Sequence, residues 1–184
     1  MRFYHVNFVH MNQKIIKIAI LLFFSNLLAW SCHDPLIEVK SGSYYFQYEY
    51  INHAWGFNHF GFIITPAGEM YTYNSKTPWA FSENGLLSAD SLRNNLKASL
   101  KKDTTINTTE MESYQRLATS VISGKISEHL IRGADMGANI CKIIVPDSIN
   151  SYREVILSHS GDVEFHNLAT EASVIAAWLT KMVH

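Results

Sequence analysis

Alternating side chains along residues 43–52 predict the first β-strand of the chain. One side of this extended segment holds the aromatic residues Tyr44, Phe46, Tyr48 and Tyr50. A repeat of two residues places alternate side chains on opposite faces of a sheet. The pattern therefore predicts a strand with an aromatic face. Because such a strand can bury only one of its faces, we expect either Tyr45 on the back or the aromatic front from Tyr44 to Tyr50 to be exposed.

Two apolar segments, residues 61–65 and 69–73, predict a β-hairpin after that strand. Pro66, Ala67 and Gly68 separate them. Proline suits the first central position of a turn, and glycine suits the left-handed position that follows. A three-residue turn with a bulge is therefore expected here.

Two helices are predicted in the middle of the chain. Ser88 is placed to cap the first, and Leu92, Leu96 and Leu100 then share one face at helical spacing. Residues 109–112, Thr-Glu-Met-Glu, form a capping box at the start of the second helix.

The last third of the chain is predicted to fold as strand, strand and helix. Apolar segments at residues 139–145 and 152–157 flank a turn-rich connection, and residues 170–183 have an apolar helical stripe. The resulting order is βββ-αα-ββ-α. It predicts one α+β domain over residues 43–184, in which helices cover an antiparallel sheet.

The segment before this domain has the features of a secretory signal. Lys14 and Lys17 precede an apolar stretch over residues 18–31, which is shorter than the roughly 20 residues that span a bilayer as a helix. Cys32 follows at once. This arrangement resembles the lipobox of bacterial lipoproteins, whose cysteine becomes the acylated first residue of the mature chain.

The resemblance implies a signal peptide over residues 1–31, with Met11 as an alternative start, and a lipidated Cys32 with a tether over residues 32–42. The protein would then be a membrane-anchored lipoprotein of the bacterial cell envelope, facing the periplasm or the surface. Cys141 would be left as a buried, unpaired thiol. A Cys32–Cys141 disulfide is the alternative if ordinary signal cleavage occurs.

Charge argues against one class of partner. The leader contains three of the 15 basic residues and none of the 16 acidic ones, so its removal leaves an acidic chain. Nucleic-acid binding needs clustered Lys and Arg, so no nucleic-acid partner is expected.

The loop between the first two strands concentrates aromatic and polar side chains. Residues 52–60 are Asn-His-Ala-Trp-Gly-Phe-Asn-His-Phe, and Trp and Tyr are favoured where a surface meets a partner. The two histidines lack a third ligand at a defined spacing, so neither a metal site nor a cofactor is predicted. The predicted binding residues are His53, Trp55, Asn58, His59, Tyr48 and Tyr50.

The main interpretation is a non-enzymatic, lipid-anchored module that binds a protein, peptide or glycan through its aromatic β-face and the 52–60 loop. An envelope hydrolase or carbohydrate-active enzyme is the alternative, in which His53 and His59 would converge with Asp135 or Asp162. A further alternative is an inhibitor or immunity-type protein, which would show an exposed acidic or aromatic patch without a pocket.

Overall fold

An antiparallel sheet of nine strands is the frame of the domain in the computed structural model, which describes residues 43–183. The strands are β1 (Tyr45–Asn52), β2 (Asn58–Ile64), β3 (Glu69–Tyr73), β4 (Leu86–Ser88), β5 (Leu100–Thr105), β6 (Leu130–Ile131), β7 (Ala138–Ser148), β8 (Ser151–Gly161) and β9 (Val163–His166). The helices are α1 (Ala89–Ala98), α2 (Thr108–Val121) and α3 (Thr170–Lys181). The predicted α+β class is confirmed.

The strands lie side by side in the order β5-β3-β2-β1-β7-β8-β9-β6, and β4 pairs with the beginning of β8. The predicted order of elements is correct, and four short strands (β4, β5, β6 and β9) add to it. The predicted signal peptide, Cys32 and the tether lie outside the described residues.

The aromatic side of β1 is the main core of the domain. Helices α2 and α3 cover it, and the Phe46 ring meets Trp178 edge to face with 5.3 Å between ring centroids. Gln115 on α2 pairs with the main chain of Tyr44, accepting from its N–H at 2.9 Å and donating to its carbonyl at 2.7 Å. The expected exposure of the front is therefore wrong from Tyr44 to Tyr48, because two helices pack on it, and Tyr45 on the back is half-buried.

The opposite side of the sheet is covered by α1 and by residues 74–85. Leu92 of α1 packs with Ile63, Leu87 and Ile144 from the strands. Asn95, also on α1, accepts a hydrogen bond from Ala80 N–H and donates one to Ala80 O, both at 2.8 Å. This amide holds the long 74–85 segment against the sheet.

The predicted hairpin is confirmed as the β2–β3 connection. Gly68 has φ of +82°, and its N–H donates to Thr65 O at 2.8 Å. Ser88 caps α1 as expected, since its Oγ accepts from Ser91 N–H at 3.0 Å. The second helix begins slightly earlier than predicted, because Asn107 supplies the cap and accepts from Glu110 N–H.

The predicted leucine stripe of α1 ends one turn early. The helix stops at Ala98, and Leu100 begins β5, which pairs with β3. The Nζ atom of Lys101 lies 2.5 Å from Glu69 Oε1 across this pair. The helix ends here because residues 100–105, when extended, form hydrogen bonds with the backbone groups at the outer edge of β3. The spacing of leucines along a helix gives no sign of this pairing.

Gly61 on β2 gives room for a buried hydroxyl. A Cβ atom at this position would collide with Tyr48 O and would lie 2.7 Å from Tyr73 Oη. Tyr73 Oη donates to Tyr48 O at 3.2 Å and accepts from Gln47 Nε2 at 2.8 Å. The absence of a side chain at residue 61 therefore lets β1 and β3 exchange these hydrogen bonds over β2.

We expect Gly61→Ala to lower the free energy of unfolding by roughly 2 kcal/mol or more, because the new methyl group displaces backbone and a buried tyrosine. Urea denaturation measures the change. Gly133→Ala is the matched control, since its Cβ would meet only the flexible side chain of Met136. Equal losses in the two variants would show that the close approach at Gly61 has no energetic role.

Candidate functional site

The loop between β1 and β2 exposes large aromatic side chains at one end of the sheet. Trp55 is 84% exposed and Phe57 is 48% exposed. Gly56 between them has φ of +95°, a conformation that suits glycine. The loop is braced from within, because Asn52 Oδ1 accepts a hydrogen bond from Ala54 N–H at 2.8 Å.

The 74–85 segment extends this aromatic surface. Phe81 is exposed, and its ring centroid lies 6.3 Å from that of Phe57. The His53 ring also lies near Phe57, with 5.2 Å between ring centroids. We call the set His53, Trp55, Phe57 and Phe81 the aromatic tip. Phe57 lies in the predicted 52–60 loop but is absent from the predicted binding residues, and Phe81 lies outside that loop.

His59 has a different role from the one predicted. It is fully buried in β2, with its ring packed against Tyr73 and Trp79. The main-chain N–H of His59 donates to Ser75 Oγ at 2.8 Å. The Ser75 hydroxyl in turn donates to Asn58 Oδ1 at 3.1 Å. His59 therefore supports the base of the aromatic tip. The neighbouring Asn58 is exposed, so its side chain could contact a partner.

The two predicted tyrosines divide between core and surface. Tyr48 is 6% exposed, and its Oη donates to Asn139 Oδ1 at 2.6 Å. Tyr50 is half-buried and stacks on Phe60 with 5.0 Å between centroids. Tyr48 is therefore a core residue, since α2 and α3 cover its part of the strand. Tyr50 lies nearer the loop.

A buried ionic network lies beneath the aromatic tip on the α1 side of the sheet. Lys142 Nζ on β7 is 2.9 Å from Glu49 Oε1 on β1 and 2.9 Å from Glu154 Oε1 on β8. The second oxygen of Glu49 accepts from His59 Nε2 at 3.3 Å, and that of Glu154 accepts from Ser82 Oγ at 2.8 Å. Every buried side-chain N and O atom in residues 43–183 has a hydrogen-bond partner.

The network keeps its central groups charged. Burial alone would raise the pKa of Glu49, but Lys142 and the hydrogen bond from His59 outweigh it and lower the pKa from its ordinary value of 4.5 to about 2. Burial alone would likewise lower the pKa of Lys142, and the two carboxylates raise it instead. The two carboxylates therefore depend on Lys142, since without it they would carry like charges with no cation between them.

A cleft of about 390 Å³ opens beside the aromatic tip. Ile51, Ala138 and Val163 form apolar parts of its lining. Its polar lining residues are Asn52, His53, Asp135, His159 and Asp162. The structure thus brings His53 together with both aspartates of the hydrolase hypothesis, but His59 is buried elsewhere. Within residues 43–183, no group of three or more His, Cys, Asp and Glu side chains is placed to hold a metal ion.

Cys141 lies in the main core on β7. Its Sγ is 3.7 Å from Ala176 O and 3.7 Å from Thr180 Oγ1, both on α3. Burial raises the pKa of this thiol, which opposes the thiolate form that a nucleophile needs. The arrangement agrees with the predicted buried side chain.

The comparisons with known proteins do not extend this picture. No family model and no curated protein matches the chain. None of the helices in residues 43–183 has the length and apolar character needed to cross a bilayer.

We expect the ionic network to produce an acid-dependent stability. Because the folded-state pKa of Glu49 is lower than the unfolded one, its ionisation stabilises the fold fully above pH 5, and this contribution of about 3 kcal/mol is lost as the pH falls through 2. Urea denaturation at several pH values should therefore show the wild type losing its advantage over Glu49→Gln between pH 5 and 2. A difference between the two proteins that is constant over this range would contradict the assignment.

Proposed function

We propose that this protein is a lipid-anchored, non-enzymatic module of the bacterial cell envelope that binds a partner through its aromatic tip. The observation that supports this most strongly is the exposure of Trp55, at 84%, beside the exposed Phe57 and Phe81. Large aromatic side chains that are grouped on a surface are typical of interfaces, where Trp and Tyr often dominate the binding energy.

The loop is also held in place, which favours recognition by a preformed surface. Asn52 braces it from within, and Ser75 fixes the main chain of His59 at its base. A binding loop that is already ordered loses less conformational entropy when the partner arrives. An ordered loop with exposed aromatic side chains is therefore better explained as a binding surface than as a loop whose aromatic residues serve packing alone.

The enzyme alternative has less support. Catalytic groups need to lie within hydrogen-bond reach of one another and of a substrate. His59 is used in the buried network with Glu49, and Asp162 Oδ1 accepts from Met136 N–H at 2.7 Å. The two histidines of the 52–60 loop therefore serve different parts of the structure. The inhibitor alternative assumed a patch without a pocket, whereas this patch adjoins a cleft.

The anchor rests on the resemblance of residues 14–32 to the leader of a bacterial lipoprotein. Cys32 would bear the lipid and residues 33–42 would join it to β1. More than one acyl chain is needed for firm attachment to a membrane, and the lipoprotein modification provides this.

We expect Cys32→Ser to move the protein from the membrane fraction to the soluble fraction, or to leave the leader uncleaved. Fractionation followed by intact mass measurement distinguishes these results. The wild-type mass should correspond to residues 32–184 plus acylglycerol. Cys141→Ser is the control, since it removes the other thiol and leaves the leader unchanged. Native processing and membrane attachment of Cys32→Ser would refute the anchor.

We expect Trp55→Ala to weaken partner binding by roughly 30-fold, the scale of an interface residue whose truncation costs about 2 kcal/mol. The Tm should change little, since the side chain is exposed. A photo-reactive amino acid at the exposed neighbouring position 54, with Trp55 kept, would identify the partner by crosslinking in cells. The affinities of the purified proteins are then compared.

Ile149 offers a matched control for that experiment. It is 61% exposed and lies in the β7–β8 turn, at the opposite end of the sheet. Ile149→Ala should bind as the wild type does, and a photo-reactive group at position 149 should not capture the same partner. Equal capture from both positions, or full affinity of Trp55→Ala, would refute binding by the aromatic tip.

A further inference from the structure

We infer that the cleft beside the aromatic tip receives a basic side chain of the partner, with the guanidinium of an arginine as the best fit. This inference rests on the proposed function and names the chemistry of the partner. The cleft and the tip share His53, whose ring lies 5.2 Å from Phe57, so one ligand can contact both.

The charged side chains that line the cleft are acidic. Asp135 and Asp162 contribute two carboxylates, and no Lys or Arg is among the lining residues in the described part of the chain. Arg132 lies close in sequence, but its guanidinium is engaged outside the cleft lining, with Nε 2.5 Å from Glu164 Oε2. The cleft therefore has a charge that a cation from the partner would complement.

His159 adds an acceptor whose tautomer is fixed by geometry. Its Nδ1 lies 2.7 Å from Val163 O, and a carbonyl oxygen can only accept, so Nδ1 must hold the proton. In the neutral ring, Nε2 is then an acceptor. The ring is also stacked on Phe165, with 4.7 Å between centroids and 13° between planes, which restricts its orientation.

Asp162 is held rigidly in the same wall. Its main-chain N–H donates to Gly137 O at 3.1 Å, its carbonyl accepts from Arg132 N–H at 2.9 Å, and its Oδ1 accepts from Met136 N–H. Oδ2 is the oxygen left for a ligand. Asp135 faces the same space from a left-handed turn with φ of +66°.

These acceptors match a ligand that only donates. Guanidinium has five N–H donors in a fixed plane and no acceptor, and it forms its strongest hydrogen bonds with carboxylates. The aliphatic stem of the arginine would pack on Ile51 and Ala138, and its flanking apolar residues would meet Trp55 and Phe57. A neutral sugar would leave the charge of the two carboxylates uncompensated.

The test is an NMR titration of the full chain with N-acetyl-arginine methylamide. The uncharged isostere N-acetyl-citrulline methylamide is the matched ligand. We expect saturable shifts of the amides of residues 135–137 and 162–163 with the arginine probe only. Asp162→Asn should weaken binding by about tenfold, and Asp135→Asn should do so similarly, since each removes one charge-assisted hydrogen bond.

Both substitutions keep the local structure. The side-chain amide introduced at position 162 would retain an oxygen that accepts from Met136 N–H, and asparagine tolerates the left-handed conformation at position 135. Asp103→Asn, on the exposed strand β5, is the control and should bind the probe as the wild type does. Equal shifts with citrulline, unchanged affinity in both cleft variants, or no shift with the arginine probe would overturn the inference.

A separate titration with tri-N-acetylglucosamine distinguishes a glycan site. Saturable shifts of the cleft amides with this sugar, and not with the arginine probe, would overturn the basic ligand. If Trp55→Ala loses the partner but the arginine probe does not bind, only the inference fails. If the probe binds and Trp55→Ala keeps full affinity for the partner, the proposed function fails instead.

Discussion

The ion pair of Lys142 with Glu49 and Glu154 is the constraint on which the centre of the sheet depends. The three residues belong to β7, β1 and β8, which are neighbours in the sheet. Removing Lys142 would leave two largely buried carboxylates without a cation, an effect that usually costs several kcal/mol. Hydrophobic packing dominates the other face under α2 and α3, whereas the α1 face combines the ionic network with a smaller apolar cluster.

This network also determines how the aromatic tip is supported. Glu49 accepts from His59, and the main chain of His59 meets Ser75 at the base of the loop. Ser82, in the segment that presents Phe81, donates to Glu154. The exposed aromatic side chains therefore stand on two segments that are both attached to one ionic network. Substitutions in the network would affect binding through the position of the loop, even though its central charges are buried beneath the tip.

Local patterns in the sequence were sufficient for much of the fold. Period-two alternation, the Pro66-Ala67-Gly68 turn and the Ser88 cap each depend on residues close together in the chain, and all three are present in the structure. The leucine stripe failed at Leu100 because β5 forms with a strand about thirty residues earlier. Pairing at that distance leaves no trace in helical spacing.

The candidate site could be predicted less well from the sequence, because it also depends on contacts between residues far apart in the chain. A period of two shows that β1 has two faces, but it does not show which face the helices cover, so the exposure of Tyr48 was misjudged. Lys142 sits in an apolar strand, a visible anomaly, yet its partner Glu49 is 93 residues away. Convergence of Asp135, His159 and Asp162 on one cleft likewise depends on the pairing of β7 with β8.

The direction of β1 determines where the aromatic tip lies in the domain. The strand runs eight residues from Tyr45 to Asn52, where the tip begins, a distance of about 23 Å at roughly 3.3 Å per residue. The tip therefore lies at the end of the sheet opposite to the β7–β8 turn, because β7 pairs antiparallel with β1 and places Ile144 beside Tyr45. Binding at the tip would involve the β1–β2 loop and the 74–85 segment, which are the two segments that the buried network supports.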